Sequence, residues 1–596
     1  MAPMILENDV EVGESLPPAT EHAVSVSLPT WRANVGYEEG EEWVISKMKT
    51  GYPRFFIHKQ IQAFAATIAE QYGAKDEAAM LFPTHATASR GRDFVLRLAP
   101  DAQVRIVDLV PAADKEYSEE SAIISPRISA VMYPKKHFSF AKQYWQHSGE
   151  GVSSRRAEYC HALFREGFLV ESSTLAESKP QSPRLCKGPR RYQKKTSVDF
   201  DSMKDSTEGD VQDPVQFVEE RFGRNLNLAM TKNAKLAIRR RIAGSLTADV
   251  GLTEALALDM ETATTRNVPG FSEDDVYLYP TGMSSIFNTH RNVMQAKGPL
   301  KAIVFGFPYI DTLKITEKFG PGSVFYGFGA EEELDDLEKR LEGGERFMAL
   351  FTEFPSNPLL RTPNLERIRQ LADNYDFCVV VDESVGNFIN VNVLPYADVV
   401  VSSLTKVFSG DSNVMGGGLI LNPRTKSYPK LKEIWNKEYV DNHWAEDSIF
   451  LERNSRDFVS RIERIGVNAE AICDVLSAHP RVKQVNYPKT SPTRPNYEKC
   501  RNPKGNYGGL LSATFYERQD AVAFFDNLDT VKGPSLGTNF TLSSPYVILA
   551  HYGELDWCAK WGVEADLIRF SIGLEDTAKL VDTFKRALEA IPTKSS

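Results

Sequence analysis

The sequence predicts an α/β protein: a large domain built on a mostly parallel sheet, a small C-terminal α+β domain after it, and an N-terminal extension before it. Short apolar, β-rich runs recur between Lys301 and Ser403, namely KAIVFGF, GSVFYGF, RFMALFTEF, FCVVVDES and ADVVVSS. Amphipathic helical stretches such as NLERIRQLADNY lie between them. Strands apolar on both faces that alternate with helices imply a parallel sheet covered on both sides. The chain has 596 residues, enough for about three or four domains of ordinary size.

Taken in order, residues 1–30 are polar and proline-containing and show no periodicity that could bury a face, so a disordered tail is expected there. Residues 31–170 are richer in aromatic and aliphatic side chains. IHKQIQAFAATIAEQYG has the spacing of an amphipathic helix and QVRIVDLV and ISAVMYP that of strands, which predicts an N-terminal α/β extension. Residues 171–213 shift to Ser, Pro, Lys, Arg and Asp and read as a linker. Its basic run KGPRRYQKK has the composition of a nuclear signal or an anion patch, yet beside DFDSMKDSTEGD it reads first as solvated charge. The large domain is expected over 214–425. Over 426–596, helical stretches (YPKLKEIWNKEY, then AEDSIFLERNSRDFVSRIERIG) connect to a small domain ending in LIRFSIGLEDTAKLVDTFKRALEAI.

Hydrophobic residues make up 42% and charged residues 25%, the balance of a soluble globular protein. A net charge of −10 argues against nucleic acid or an anionic membrane as partner and leaves small molecules and protein chains. No apolar stretch approaches the roughly 20 residues of a membrane span, and the first residues lack a basic leader. The six cysteines are scattered, without metal-site spacing. A cytoplasmic address and no metal are expected, with the nucleus open through the basic run.

In an open α/β sheet, ligands sit at the carboxyl ends of strands, so polar residues just after apolar runs are the candidates. YLYPTGMSSIFN places Thr281, Gly282 and Met283 at a helix start, where free N–H groups suit a phosphate. CVVVDES ends a buried strand at Asp382, a costly carboxylate unless a cation meets it. VVVSSLTKVFSGDSNVMGGG puts Ser403, Thr405 and Lys406 beyond the next strand, followed by a glycine-rich turn. Lys406 alone is an ordinary loop lysine. In combination these residues offer a carboxylate for a protonated ring nitrogen, hydroxyls for a phosphate and an amine for an aldehyde, the set that pyridoxal 5′-phosphate (PLP) requires.

On these motifs the stretch from about Phe217 to Leu588 resembles the Cys/Met-metabolism family of PLP enzymes, which includes cystathionine γ-synthases, cystathionine lyases and O-acylhomoserine sulfhydrylases. The resemblance implies the fold type I architecture of PLP-dependent transferases and a homodimer or homotetramer. It assigns Lys406 as the catalytic lysine that carries the cofactor covalently and Asp382 as the partner of the ring nitrogen. Ser403 and Thr405 become phosphate-side hydroxyls, and Gly282 and Met283 the phosphate-binding amides, with Thr281 where Ser is usual. Tyr309, in VFGFPYIDTLK, matches the tyrosine that stacks on the cofactor ring and assists proton transfer. Asn357 in FTEFPSNPLL, Ser535 in GPSLGTNF and Arg569 in LIRFSIGLED match substrate-side residues, with Arg569 receiving the α-carboxylate.

The family's Tyr-x-Arg pair, given to the phosphate by a neighbouring subunit, has two counterparts. FVEERFGRN offers Arg221 but has Glu219 in place of the tyrosine, and GYPRFFIHKQIQAFAATIAE, with Tyr52 and Arg54, resembles the same segment displaced upstream. The choice stays open at this point. A long N-terminal region joined to this core, with TGYPRFFIH, YPTGMSSIFN and SLGTNFTLSSPY, is similar to the fungal branch of the synthases. The implied reaction is γ-replacement on an O-acylhomoserine, with acetyl the expected acyl group, by L-cysteine to give L-cystathionine. Sulfide or a carbon nucleophile, cystathionine cleavage, and a non-catalytic regulatory role are the alternatives.

Overall fold

The computed structural model describes residues 10–115, 124, 126–173, 228–246, 248–257 and 264–592. Arg221, the basic run at 187–195 and most of the expected linker lie outside them.

The central sheet has seven strands: β5 (Val276–Tyr279), β6 (Ala302–Phe305), β7 (Ser323–Tyr326), β8 (Ala349–Glu353), β9 (Cys378–Asp382), β10 (Val399–Ser403) and β11 (Gly417–Leu421). Their order is β5-β11-β10-β9-β8-β6-β7. The pairs from β10 through β9, β8 and β6 to β7 are parallel, and only β11 runs against its neighbours. Period-2 alternation divides the strand residues between two cores. Leu278, Ile303, Leu350, Val379, Val381 and Val400 pack on one face. Tyr277, Tyr279, Phe351, Val380, Val399 and Val401 pack on the other.

The extension forms a separate four-stranded sheet, β1 (Glu77–Phe82), β2 (Arg105–Pro111), β3 (Ile128–Pro134) and β4 (Leu169–Glu171), in the order β1-β3-β2-β4. All its pairings are antiparallel, so the expected α/β layering is here α+β. The helix expected from IHKQIQAFAATIAEQYG spans Lys59–Tyr72. It covers one sheet face through Ile61, Phe64 and Ile68, against Leu81, Val107, Leu109 and Met132. Residues of the opposite face, Met80, Phe82, Val131 and Tyr133, join the large domain's second core. The extension therefore shares its hydrophobic interior with the cofactor-type domain.

The expectation of a disordered tail over residues 1–30 fails for residues 10–30. Leu16 packs on Val531, Phe540 and Leu542, and Val26 and Leu28 pack on Val44, Met48 and Leu549. The Val24 N–H donates to the Ser412 carbonyl and the Leu28 N–H to the Lys532 carbonyl. Single apolar residues docked on a surface that is already folded need no periodicity of their own, which is why the pattern was silent.

The C-terminal domain has a five-stranded sheet in the order β12-β13-β16-β15-β14: β12 (Val482–Asn486), β13 (Leu510–Phe515), β14 (Val531–Lys532), β15 (Leu542–Pro545) and β16 (Ile568–Ser571). The helix Phe458–Ser477 runs from the large domain into its core. Among the described residues no helix is long and apolar enough to cross a membrane.

Candidate active site

One cavity at the carboxyl ends of β8, β9 and β10 is lined by Lys406, Asp382, Gly282, Met283, Ser403, Thr405, Tyr309, Asn357 and Arg569. Its far wall is Tyr52 and Arg54 from the segment preceding the first long helix of the extension. Thus the sequence-predicted residues converge, apart from Ser535, which reaches Lys406 directly, and Arg221, which lies outside the described residues.

Lys406 follows β10 in a tight turn and is buried. Its Nζ donates to the Tyr52 hydroxyl at 3.0 Å and to Ser535 Oγ at 3.3 Å. Burial pushes the Tyr52 phenol up, but the charge of Lys406 and its hydrogen bond outweigh burial and hold it below the ordinary value. Burial, and then the neighbouring Tyr52, raises the Tyr309 phenol well above the usual range.

Asp382 closes β9. Its Oδ1 accepts the Ser384 N–H at 2.8 Å, and burial raises its carboxyl to about 6. Beside it in register, at the end of β8, stands Glu353. The Glu353 oxygens accept the backbone N–H of Tyr309 at 2.5 Å and of Asn357 at 2.9 Å. Burial, and then the charge of Asp382, pushes its carboxyl up to about 8. The reasoning that singles out Asp382, a carboxylate ending a buried strand, applies equally to Glu353 in FTEFP, and the sequence reading passed over it.

The helix Gly282–Lys297 starts at the N-cap Thr281, whose hydroxyl accepts the Ser284 N–H and donates to the Gly149 carbonyl of the extension. The first-turn N–H groups of Gly282 and Met283 have no intrahelical acceptor. Gly282 lies so close to Ser403 that an added Cβ would sit 2.7 Å from the Ser403 Cβ. That contact brings the helix N-terminus and the hydroxyls after β10 into one cradle. Thr405 Oγ1 is tied to Gly416, accepting its N–H at 3.1 Å.

Arg569 on β16 is buried; it donates to Asn357 Oδ1 at 3.3 Å and to the carbonyls of Pro534 and Ser535 at 3.0 and 2.8 Å. Its guanidinium lies 4.8 Å over the Tyr546 ring. Among the described residues no carboxylate pairs with it, and burial lowers its pKa. By contrast, the buried Arg266 and Arg241 each meet a glutamate, Glu383 and Glu452. A guanidinium kept dry without a counter-charge, next to a buried lysine, is a site for an anionic ligand.

The donor set fits PLP. A helix N-terminus with Ser403 and Thr405 suits a phosphate, Asp382 is a buried acid that a ring cation would ionise, and Lys406 is an amine in reach of an aldehyde.

Comparison with known proteins agrees with this chemistry. The family described as Cys/Met metabolism PLP-dependent enzyme matches residues 272–589, and the one described as fungal trans-sulfuration enzyme, N-terminal domain, matches residues 60–153. The chain is 51% identical to the cystathionine gamma-synthase of Neurospora crassa over 98% of this chain and 99% of that one. It is 40% identical to the cystathionine gamma-synthase of Saccharomyces cerevisiae over 97% and 98%. With the cystathionine gamma-synthase-like enzyme iboG2 of Amanita muscaria it shares 39% identity over 99% and 98%. The fold, the donor set and these full-length likenesses agree: the chain belongs to the Cys/Met metabolism family of PLP-dependent enzymes.

Proposed function

We propose that this enzyme catalyses γ-replacement, exchanging the acyloxy group of an O-acylhomoserine, with acetyl as the acyl group, for the sulfur of L-cysteine to give L-cystathionine. The observation that carries the reading is the 51% identity to a cystathionine gamma-synthase along the whole chain, extension included. The site residues support it. Arg569 binds the α-carboxylate of the amino-acid substrate and so selects the Cα bond that breaks. Asn357 and Ser535 hold that guanidinium and the substrate side of the cavity. Lys406, once free, removes the proton from Cα and then one from Cβ. Asp382 keeps the ring nitrogen protonated, and Gly282, Met283, Ser403 and Thr405 hold the phosphate. PLP bound in this cavity supplies the electron sink for charge that develops on the substrate carbons. Tyr309 and Lys406 return protons after the Cγ–O bond breaks and the Cγ–S bond forms.

A second reading, replacement by sulfide or another nucleophile, is favoured by the Amanita relative, which is named only as synthase-like. Incubation of the purified enzyme with O-acetylhomoserine and cysteine, sulfide, or cystathionine alone separates the readings by product mass. Cystathionine formed from cysteine supports the synthase reading, and homocysteine formed faster from sulfide supports the second. A non-catalytic role fits poorly with Asp382, Lys406 and Arg569 lining one cavity. A cytoplasmic address and a homodimer or homotetramer complete the proposal; light scattering tests the latter.

A further inference from the structure

Asp311, two residues beyond Tyr309, is fully buried, a position at which a carboxylate is costly unless cations or donors meet it. Two groups do. Arg54 Nε lies 2.6 Å from Oδ2, a close ion pair whose angle is poor for a hydrogen bond. His147 Nδ1 lies 2.9 Å from Oδ1. The other ring nitrogen of His147, Nε2, is 2.8 Å from the Lys318 ammonium. An ammonium only donates, so Nε2 accepts and Nδ1 carries the proton that goes to Asp311. The result is a directed chain from Lys318 through His147 to Asp311, with Arg54 held at its end.

The four residues come from three parts of the chain. Arg54 precedes the first long helix of the extension, His147 lies on the extension helix Phe138–Ser148, and Asp311 and Lys318 lie on the large-domain helix Ile310–Lys318. The Arg54 Nε faces Asp311, while its guanidinium lies 5.1 Å over the Tyr309 ring on the cavity wall. Two residues after His147, the Gly149 carbonyl accepts the hydroxyl of Thr281, the cap of the phosphate-cradle helix. The same piece of the extension therefore touches both the cradle and the network that fixes Arg54.

We infer that His147, Asp311 and Lys318 are positioning residues that hold Arg54 toward the cofactor phosphate, so that the extension of the same chain completes the PLP site. This rests on PLP occupying the cavity as described. A planar guanidinium restrained at one nitrogen meets a phosphate with less ordering cost than a free one.

The test is cofactor affinity of the full-length apoenzyme, titrated by fluorescence with PLP and, separately, with unphosphorylated pyridoxal. Arg54→Ala and His147→Ala each weaken PLP by about tenfold or more, the scale of a charge-assisted hydrogen bond. The double variant binds no worse than Arg54→Ala alone, and pyridoxal affinity is unchanged throughout. His147→Asn, which keeps a donor and an acceptor, recovers part of the loss. Should His147→Ala fail to fold, Lys318→Met at its partly exposed position reads the same chain, and wild-type PLP affinity in it overturns the inference. Additive losses in the double variant, or an equal loss of pyridoxal affinity, overturn it too. Equal losses of PLP and pyridoxal affinity in Lys406→Ala, relative to wild type, leave the PLP assignment standing and isolate a failure of the other variants to the positioning chain.

Discussion

Replacing Arg569 by lysine keeps the positive charge and removes the fork. In the structure the guanidinium reaches Asn357 Oδ1 at 3.3 Å with one nitrogen and the Pro534 and Ser535 carbonyls at 3.0 and 2.8 Å with another. A lysine ammonium cannot span those partners and a substrate carboxylate together. A hydrogen bond to a charged group contributes about 1.5–3 kcal/mol. Loss of one such bond to the α-carboxylate costs about 2 kcal/mol in kcat/KM, roughly a 30-fold drop. Because Arg569 lies on β16 of the small domain and the phosphate cradle on the large one, the visible absorption of bound PLP stays as in wild type. Steady-state kinetics with O-acetylhomoserine, read beside that spectrum, decide the matter. Wild-type kcat/KM in Arg569→Lys would refute the carboxylate role, and loss of PLP would make the residue a support of the fold.

Glu353→Gln alters pH dependence. Because burial and Asp382 push the Glu353 carboxyl up to about 8, above its ordinary unfolded value, the folded apoenzyme holds a proton there that the unfolded chain releases. Its stability contribution is present at pH below about 4.5 and is lost as pH rises through about 8. The melting temperature of the wild-type apoenzyme should therefore lose ground to that of Glu353→Gln as pH rises from 5 to 8; parallel curves for the two would contradict this. Gly149→Ala tests the contact between extension and cradle. Gly149 has φ +61, and an added Cβ would meet Thr281 Oγ1 and lie 2.6 Å from the Met283 Cβ. We expect about 1–3 kcal/mol of destabilisation and weaker PLP binding, whereas unchanged affinity on titration would show that the cradle yields freely. A chain beginning at Asp213 exposes the core faces that the extension covers, and is expected to aggregate or lose activity; a soluble, fully active product in gel filtration and assay would contradict that.

Much of the large domain was legible because its inner strands are largely buried and read as unbroken apolar runs, and β8, β9 and β10 end on polar residues that serve the site. Asp382, Ser403 and Lys406 are visible for that reason: the chemistry sits on the last residue of the strand or within three residues beyond it. Arg569 is visible because an arginine inside IRFS has no solvent-facing reason to be there. What stayed hidden depends on contacts between distant segments. Tyr52 and Arg54 matched a motif, yet only the fold brings Tyr52 to Lys406 across more than 350 residues of chain. His147 and Asp311 carry no motif, and their pairing exists only because the extension packs on the helix after β6. The misjudged tail has the same cause, since Leu16 docks on Val531, Phe540 and Leu542, and Val26 and Leu28 on Leu549 together with Val44 and Met48.

The central claim is that Lys406 carries PLP covalently in the cavity between the extension and the two other domains. Borohydride reduction of the holoenzyme, proteolysis and mass mapping of the pyridoxyl-labelled peptide test it most directly. The label should fall on the peptide containing Ser403, Thr405 and Lys406, and Lys406→Ala should lose both the label and the yellow colour of the covalent form. A label on any other lysine, or an unlabelled holoenzyme that keeps its activity, would contradict the account.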